Sequence, residues 1–186
     1  DLRQHLTVLS GYAANKDLDA ISDYLASFRK HMMPEWLPAY CENHAINAIL
    51  SYYAQIAENA GTALEIQAQM EKEIPVPEPE FCVLLGNLLE NAIEACTRQT
   101  SGSGNKKEIT LNAKENGYMW MVSIENTYDG RLHCRGEKFI SSKRTNDAVG
   151  IGIESVRKIL KEHNSSLDIF PEEHLFRAGF LLPLQP

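Results

Sequence analysis

The run Asn87-Leu-Leu-Glu-Asn91-Ala-Ile-Glu-Ala-Cys96 sets the strongest constraint on how this chain folds. Leu84, Leu85, Leu88, Ala92 and Ala95 spread apolar surface around much of a helix, so the helix belongs in a core. Asn87, Asn91 and Glu94 fall at i, i+4 and i+7 and share one stripe of it. Polar groups set in that much apolar surface are costly to bury unpaired. Either neighbouring backbone satisfies the amides, or a ligand does. An amide carbonyl is a neutral oxygen suited to Mg²⁺, which keeps most of its other ligands as phosphate and water. Further along, Gly150-Ile-Gly152 opens another helix, where bare backbone N–H groups and the positive end of the helix dipole suit phosphate.

The rest of the chain builds a domain around that helix. Leu2, Leu6, Leu9 and Ala13 form one helical seam, and Leu18, Ile21, Leu25 and Phe28 form another. Asn15-Lys16-Asp17 breaks them, with Asp17 as N-cap, so the two helices form an antiparallel hairpin. A second copy of the hairpin would cover both seams in a four-helix dimer; packing on the rest of the same chain is the alternative. Residues 32–38 read as a Pro-containing linker. Asn43 can cap a helix that Gly61 closes. Leu64, Ile66, Ala68 and Met70 alternate with polar residues as a half-buried strand.

Pro75, Pro77 and Pro79 hold off the asparagine helix until about Glu80, and Ser101–Asn105 reads as a flexible loop. Ile109–Ala113 and Tyr118–Glu125 form a hairpin about an Asn116-Gly117 turn. Residues 127–149 show no period and read as a functional loop or lid. A helix over Ile153–Glu162 and strands over Ser166–Phe170 and Leu175–Leu182 complete the order. The fold class expected is α+β: a helical hairpin over 1–33, then a two-layer α/β sandwich over 34–186 with helices on one face of one sheet.

Composition narrows the function. A net charge of −7 argues against a nucleic-acid-binding surface. Cys41, Cys82, Cys96 and Cys134 have no metal-ligand spacing, and free thiols fit a reducing, cytoplasmic setting. There is no apolar run of about 18 residues, the length a membrane helix needs. The chain starts at Asp1 inside a helical pattern and reads as a fragment, with any membrane-bound sensor region lying upstream.

The order and separation of the asparagine helix and Gly150-Ile-Gly152 resemble the N-box and late glycine box of the GHKL ATPases. This is the superfamily of gyrase, the heat-shock chaperone of ninety kilodaltons, histidine kinases and MutL. The resemblance implies ATP and Mg²⁺ as cofactors, with Asn91 holding the metal and Asn87 facing the nucleotide. Members that hydrolyse ATP by water attack carry a glutamate general base where this chain has Asn87. An amide accepts no proton at neutral pH, so the resemblance is to the histidine kinases. Asn126 stands where the superfamily usually has an adenine-binding aspartate, and an amide oxygen can accept the same hydrogen bond. The pattern Asn126-x-x-Asp129-Gly130, and Lys143 ahead of Gly150 and Gly152, are closest to the peptide-sensing kinases of the accessory-gene-regulator type. In that reading Lys143 contacts phosphate from the lid.

The opening Asp1-Leu-Arg-Gln4-His5 resembles the same subgroup's H-box, which normally begins His-Asp. The phosphorylated histidine would then lie just before Asp1, with Asp1 orienting it and Gln4 positioning water one turn on. His5 is the weaker alternative acceptor. The implied protein is the cytoplasmic kinase core of a sensor histidine kinase. It is a homodimer that passes phosphate from ATP to histidine and then to a response-regulator aspartate. A catalytically silent GHKL nucleotide-binding module and an anti-sigma-type serine kinase are the competing readings.

Overall fold

In the first of the chain's two compact units, Asp1–Trp36, the polar break at Asn15-Lys16-Asp17 turns the chain back on itself. The computed structural model describes residues 2–29, 39–69, 74–99, 106–131, 134–135, 138–139 and 151–184. Helix α1 (Leu2–Ala14) ends where Lys16 takes a left-handed φ of 56°. The Lys16 and Asp17 N–H groups then return to the Ala13 and Tyr12 carbonyls, the Schellman pattern that satisfies a helix end. Asp17 caps α2 (Leu18–Arg29) as expected, its Oδ1 accepting from the Ala20 N–H at 2.9 Å. The helices are held by aromatic residues: His5 Nδ1 lies 2.9 Å from the Tyr24 hydroxyl, and Tyr12 meets Tyr24 edge-on at 6.0 Å. Of the expected seam, Leu9, Ile21 and Leu25 are half-buried, whereas Leu6 and Leu18 are 55% and 73% exposed.

The second unit, Leu37–Pro186, begins with α3 (His44–Asn59). Asn43 caps it through the Ile46 N–H at 3.0 Å, and its own amide donates to Glu78 at 2.7 Å. One side chain thus closes one helix and ties it to the start of the next. Asn43→Ala should cost about 1–2 kcal/mol, read as a lower urea midpoint with unchanged m-value. At the other end Gly61 and Thr62 return N–H groups to Glu58 and Ala57, the closure that the sequence implies.

Strand β1 (Ala63–Gln69) leads to α4 (Glu78–Arg98), the crossover to β2 (Glu108–Glu115), and β1 and β2 pair in parallel. Next come β3 (Met119–Thr127), the two-residue strands β4 (Cys134–Arg135) and β5 (Lys138–Phe139), α5 (Ile151–Glu162), β6 (Asp168–Pro171) and β7 (Leu175–Pro183). Among the described residues, five strands form a mixed sheet in the order β1-β2-β3-β7-β6, and β4 pairs only with β5. Ile109, Leu111, Val122, Ile124, Ala178 and Phe180 alternate inward from three neighbouring strands. They join the core that α3, α4 and α5 cover. The opposite face carries the Glu125–Arg177 pair and the exposed Met121 and Leu181.

Strand ends differ from expectation by one or two residues, and three further boundaries bear on the site or its frame. Helix α4 starts at Glu78, because Pro77 is its N-cap and Pro79 lies in the first turn, where no intrahelical N–H is required. The β2–β3 turn centres on Gly117-Tyr118: Asn116 N–H bonds the Met119 carbonyl, and Gly117 takes φ +83° at the first central position, as a type II′ turn demands. Helix α5 begins at Ile151, so Gly152 lies within its first turn. The expected linker at 32–38, the loop at 101–105 and most of the lid fall outside the described residues.

Candidate functional site

Helix α4 carries the site because it is held on several sides. Phe81, Leu84, Leu85 and Leu89 are fully buried, and α4 packs on α3, α5, β2 and β3. Gly86 lets α3 approach, since a Cβ there would lie 3.2 Å from the Tyr53 hydroxyl. At its N-terminus Glu80 bonds His163, the residue that follows α5, at 2.5 Å.

The two asparagines of this helix are satisfied differently. Asn87 folds back on its own helix and donates Nδ2 to the Val83 carbonyl at 2.8 Å. Its Oδ1 faces α5, where a Cβ on Gly152 would stand only 2.7 Å away. The asparagine helix and the second glycine of Gly150-Ile-Gly152 are therefore in direct contact. Asn91, one turn on, has a buried Nδ2 without a hydrogen-bond partner among the described residues. An unpaired buried amide costs about 1–3 kcal/mol, a cost that a bound polar ligand can relieve. The Asn91 Nδ2 can donate to a phosphate oxygen, and the neutral Oδ1 of the same amide is the atom suited to Mg²⁺.

Asn126 closes the inward face of β3. The buried residues Trp120, Val122, Ile124, Asn126 and Tyr128 continue one alternation, and Asn126 is 3% exposed. Its Nδ2 donates to the Thr127 carbonyl at 2.9 Å, which turns Oδ1, the acceptor, away from that carbonyl. Thr127 organises this end of the site: its hydroxyl accepts from Gln99 Nε2 at 2.9 Å and donates to the Lys106 carbonyl at 3.1 Å. Cys96 Sγ reaches the Thr127 carbonyl at 3.3 Å, and burial pushes this thiol up despite the hydrogen bonds that oppose the shift. Thr127, Gln99 and Tyr128 were not among the expected site residues. Tyr128 could have been found by carrying the period-two alternation past Asn126.

Asp129 and Gly130 form a turn. Asp129 Oδ1 accepts from the Arg131 N–H at 3.1 Å, while Gly130 has φ +76° and lies so close to the Glu173 carbonyl that a Cβ would meet it at 3.0 Å. The turn is fastened by Tyr128, whose hydroxyl donates to the Glu172 carbonyl at 2.6 Å. Desolvation, and secondly the Asp129 charge, push this hydroxyl's pKa up. In the other unit, Gln4 is exposed on α1. Asp1, Lys143 and Gly150 lie outside the described residues.

The geometry thus brings together Asn87 with Gly152 on packed helices, and sets Asn126 on the strand beneath α4. A GHKL domain profile matches residues 78–183, more than half of the chain. The chain belongs to the GHKL domain family. GHKL domains generally bind ATP. No curated protein matches the chain significantly. The catalytic domain of the histidine kinase ThkA superposes with a TM-score of 0.58 at 20% identity, covering 76% of this chain and 93% of that one. The histidine kinase AdeS of Acinetobacter baumannii gives 0.55 at 11% identity, covering 100% and 98%. A histidine kinase domain from Erythrobacter litoralis gives 0.52 at 14%, covering 75% and 64%. At these identities the likeness is one of fold: N-terminal helices and a mixed five-strand sheet of the histidine kinase catalytic type. Among the described residues no helix is long and apolar enough to cross a membrane.

Proposed function

We propose that this GHKL chain is the kinase core of a sensor histidine kinase of the accessory-gene-regulator type. It binds Mg-ATP in the second unit and donates the γ-phosphate to a histidine immediately upstream of Asp1, from which a response-regulator aspartate receives it. The observation that carries the reading is the amide at position 87, held on the Val83 carbonyl, where a hydrolase needs a proton acceptor. A site without that base protects ATP from attack by water and leaves its γ-phosphate for another nucleophile. Asn91 would hold the Mg²⁺, which neutralises charge on the phosphate oxygens when bound. Asn126 Oδ1 would accept from the adenine amino group, with Asp129 and Gly130 shaping the turn beyond it. The first turn of α5, with Lys143, Gly150 and Gly152, would carry phosphate. What these residues do is position and stabilise charge, the main needs of phosphoryl transfer.

The hairpin would be the dimerisation and phosphotransfer element. No side chain from Gln4 to Ser27 is buried, and Leu6 and Leu18 stand exposed, as expected of helices that complete their core with a second copy. Asp1 would orient the acceptor imidazole, and Gln4 would position water for dephosphorylation.

Asn91→Ala should abolish Mg-ATP binding, measured by titration calorimetry, while the melting temperature of the free protein holds or rises as the unpaired amide is removed. Unchanged affinity would sink the assignment. A chain extended to include the upstream histidine should form acid-labile phosphate. A folded extended chain that binds Mg-ATP but stays unphosphorylated would instead favour a silent nucleotide-binding module.

A further inference from the structure

The contact between Asn87 and Gly152 has a consequence for how the phosphate end of the site is held. Gly152 has no left-handed backbone, unlike Gly61, Gly117 and Gly130, so its φ does not require glycine. It lies in the first turn of α5, where alanine would favour the helix by up to about 1 kcal/mol. What excludes a side chain is Asn87: a Cβ at 152 would lie 2.7 Å from its Oδ1, 3.4 Å from its Cγ and 3.6 Å from its Cβ. Asn87 can swing aside only by giving up the hydrogen bond from its Nδ2 to the Val83 carbonyl at 2.8 Å. Helix α5 is also fastened to α4 at its far end, where His163 meets Glu80 at 2.5 Å. One contact anchors the C-terminal end of α5 and the other sets the stand-off of its first turn.

We propose that Asn87 is a positioning residue: its amide, braced on Val83, is the spacer on which Gly152 rests. The pair sets the distance between the Asn91 face of α4 and the N–H groups at the start of α5. This rests on the proposed nucleotide site, but it assigns Asn87 a different task from the nucleotide-facing one that the sequence implies. It also explains why an amide of this length is paired with glycine. A Cβ at 152 would tilt the first turn of α5 outward about the Glu80–His163 anchor. The phosphates would then lose their N–H partners, while an adenine held at Asn126 would keep its own.

The test is a double-mutant cycle in the full chain, read by melting temperature and by the affinities of ATP and adenosine. Gly152→Ala should weaken ATP binding by roughly tenfold or more, since a misplacement of about an ångström is costly in such sites. Adenosine affinity should change far less. Adding Asn87→Ala to Gly152→Ala should recover both melting temperature and ATP affinity relative to Gly152→Ala alone. Equal losses for ATP and adenosine in Gly152→Ala would overturn the proposal, because a purely structural defect weakens both. Additive losses in the double variant would also overturn it, because they make Asn87 a ligand rather than a spacer. So would a Gly152→Ala protein identical to the parent. A folded parent that binds neither nucleotide would sink the proposed function, and the spacing proposal would then be decided by whether Asn87→Ala restores the Gly152→Ala melting temperature.

Discussion

Phe81→Ala should remove roughly 3–5 kcal/mol from the stability of the second unit, the range for deleting a fully buried aromatic ring. Phe81 is 0% exposed and sits in the first turns of α4. Its ring meets Trp120 of β3 edge-on at 5.6 Å and 84°, and Phe180 of β7 at 6.4 Å and 79°. Such pairs add about 0.5–1.5 kcal/mol beyond area burial, because the positive ring edge faces the negative face of its neighbour. Truncation therefore removes both the transfer term and the two ring contacts, and leaves a cavity between a helix and two strands. Each kcal/mol shifts the midpoint by about 2–4 °C in a domain of 150–250 residues, so the melting temperature should fall by roughly 6–20 °C. Tyr118→Ala is the control: that ring is 83% exposed at the hairpin turn and should change stability by less than about 0.5 kcal/mol. A Phe81→Ala loss under about 1 kcal/mol would mean that this aromatic cluster does not hold α4 on the sheet.

Much of this architecture was legible in the sequence because the relevant signals are local. The apolar surface of α4, the caps at Asp17 and Asn43 and the alternation in β1 and β3 depend on neighbours a few residues away. Less legible were features in which a local preference is set aside or a distant contact decides. Lys16 takes a left-handed φ that glycine or asparagine would normally supply, because the tight turn between α1 and α2 requires it. Leu6 and Ala13 read as seam residues, yet His5, Tyr12 and Tyr24 make the contact between the helices instead. The short β4–β5 ladder is too brief to leave a period. In the site, residue types pointed to Asn87, Asn91 and Gly152, but not to the fact that Asn87 and Gly152 touch. Spacing along a chain says which face a side chain shares, and only packing between elements says what that face meets.

Asn126→Asp is the substitution that the superfamily pattern invites, and it should destabilise the protein at neutral pH by about 3 kcal/mol. In the proposed reading the superfamily's aspartate would fall here, but the surroundings of Asn126 suit an amide. Asn126 is 3% exposed, and its Nδ2 donates to the Thr127 carbonyl at 2.9 Å. A carboxylate would set a charged oxygen against that carbonyl in place of a donor, on a face shared with Ile124 and Tyr128. Both burial and the opposing carbonyl favour the neutral acid, so the folded-state pKa of the new carboxyl should lie above its unfolded value of about 3.9. The sign follows from proton counting. Below about pH 3.9 both states hold the proton, and the acid can donate to the Thr127 carbonyl, so the variant should approach the parent. As pH rises the unfolded chain releases its proton first, and the stability gap should widen by up to about 1.4 kcal/mol per pH unit until the folded-state pKa is passed. Asn126→Leu provides the contrast, since it removes the hydrogen bond without a titrating group, and its loss should not change across the same range. Urea midpoints for both variants between pH 4 and 8, each against the parent, separate the two behaviours. A stability gap independent of pH in Asn126→Asp, or a variant as stable as the parent at pH 7 with tighter Mg-ATP binding, would show that the site accepts the carboxylate and that the Thr127 carbonyl does not select the amide.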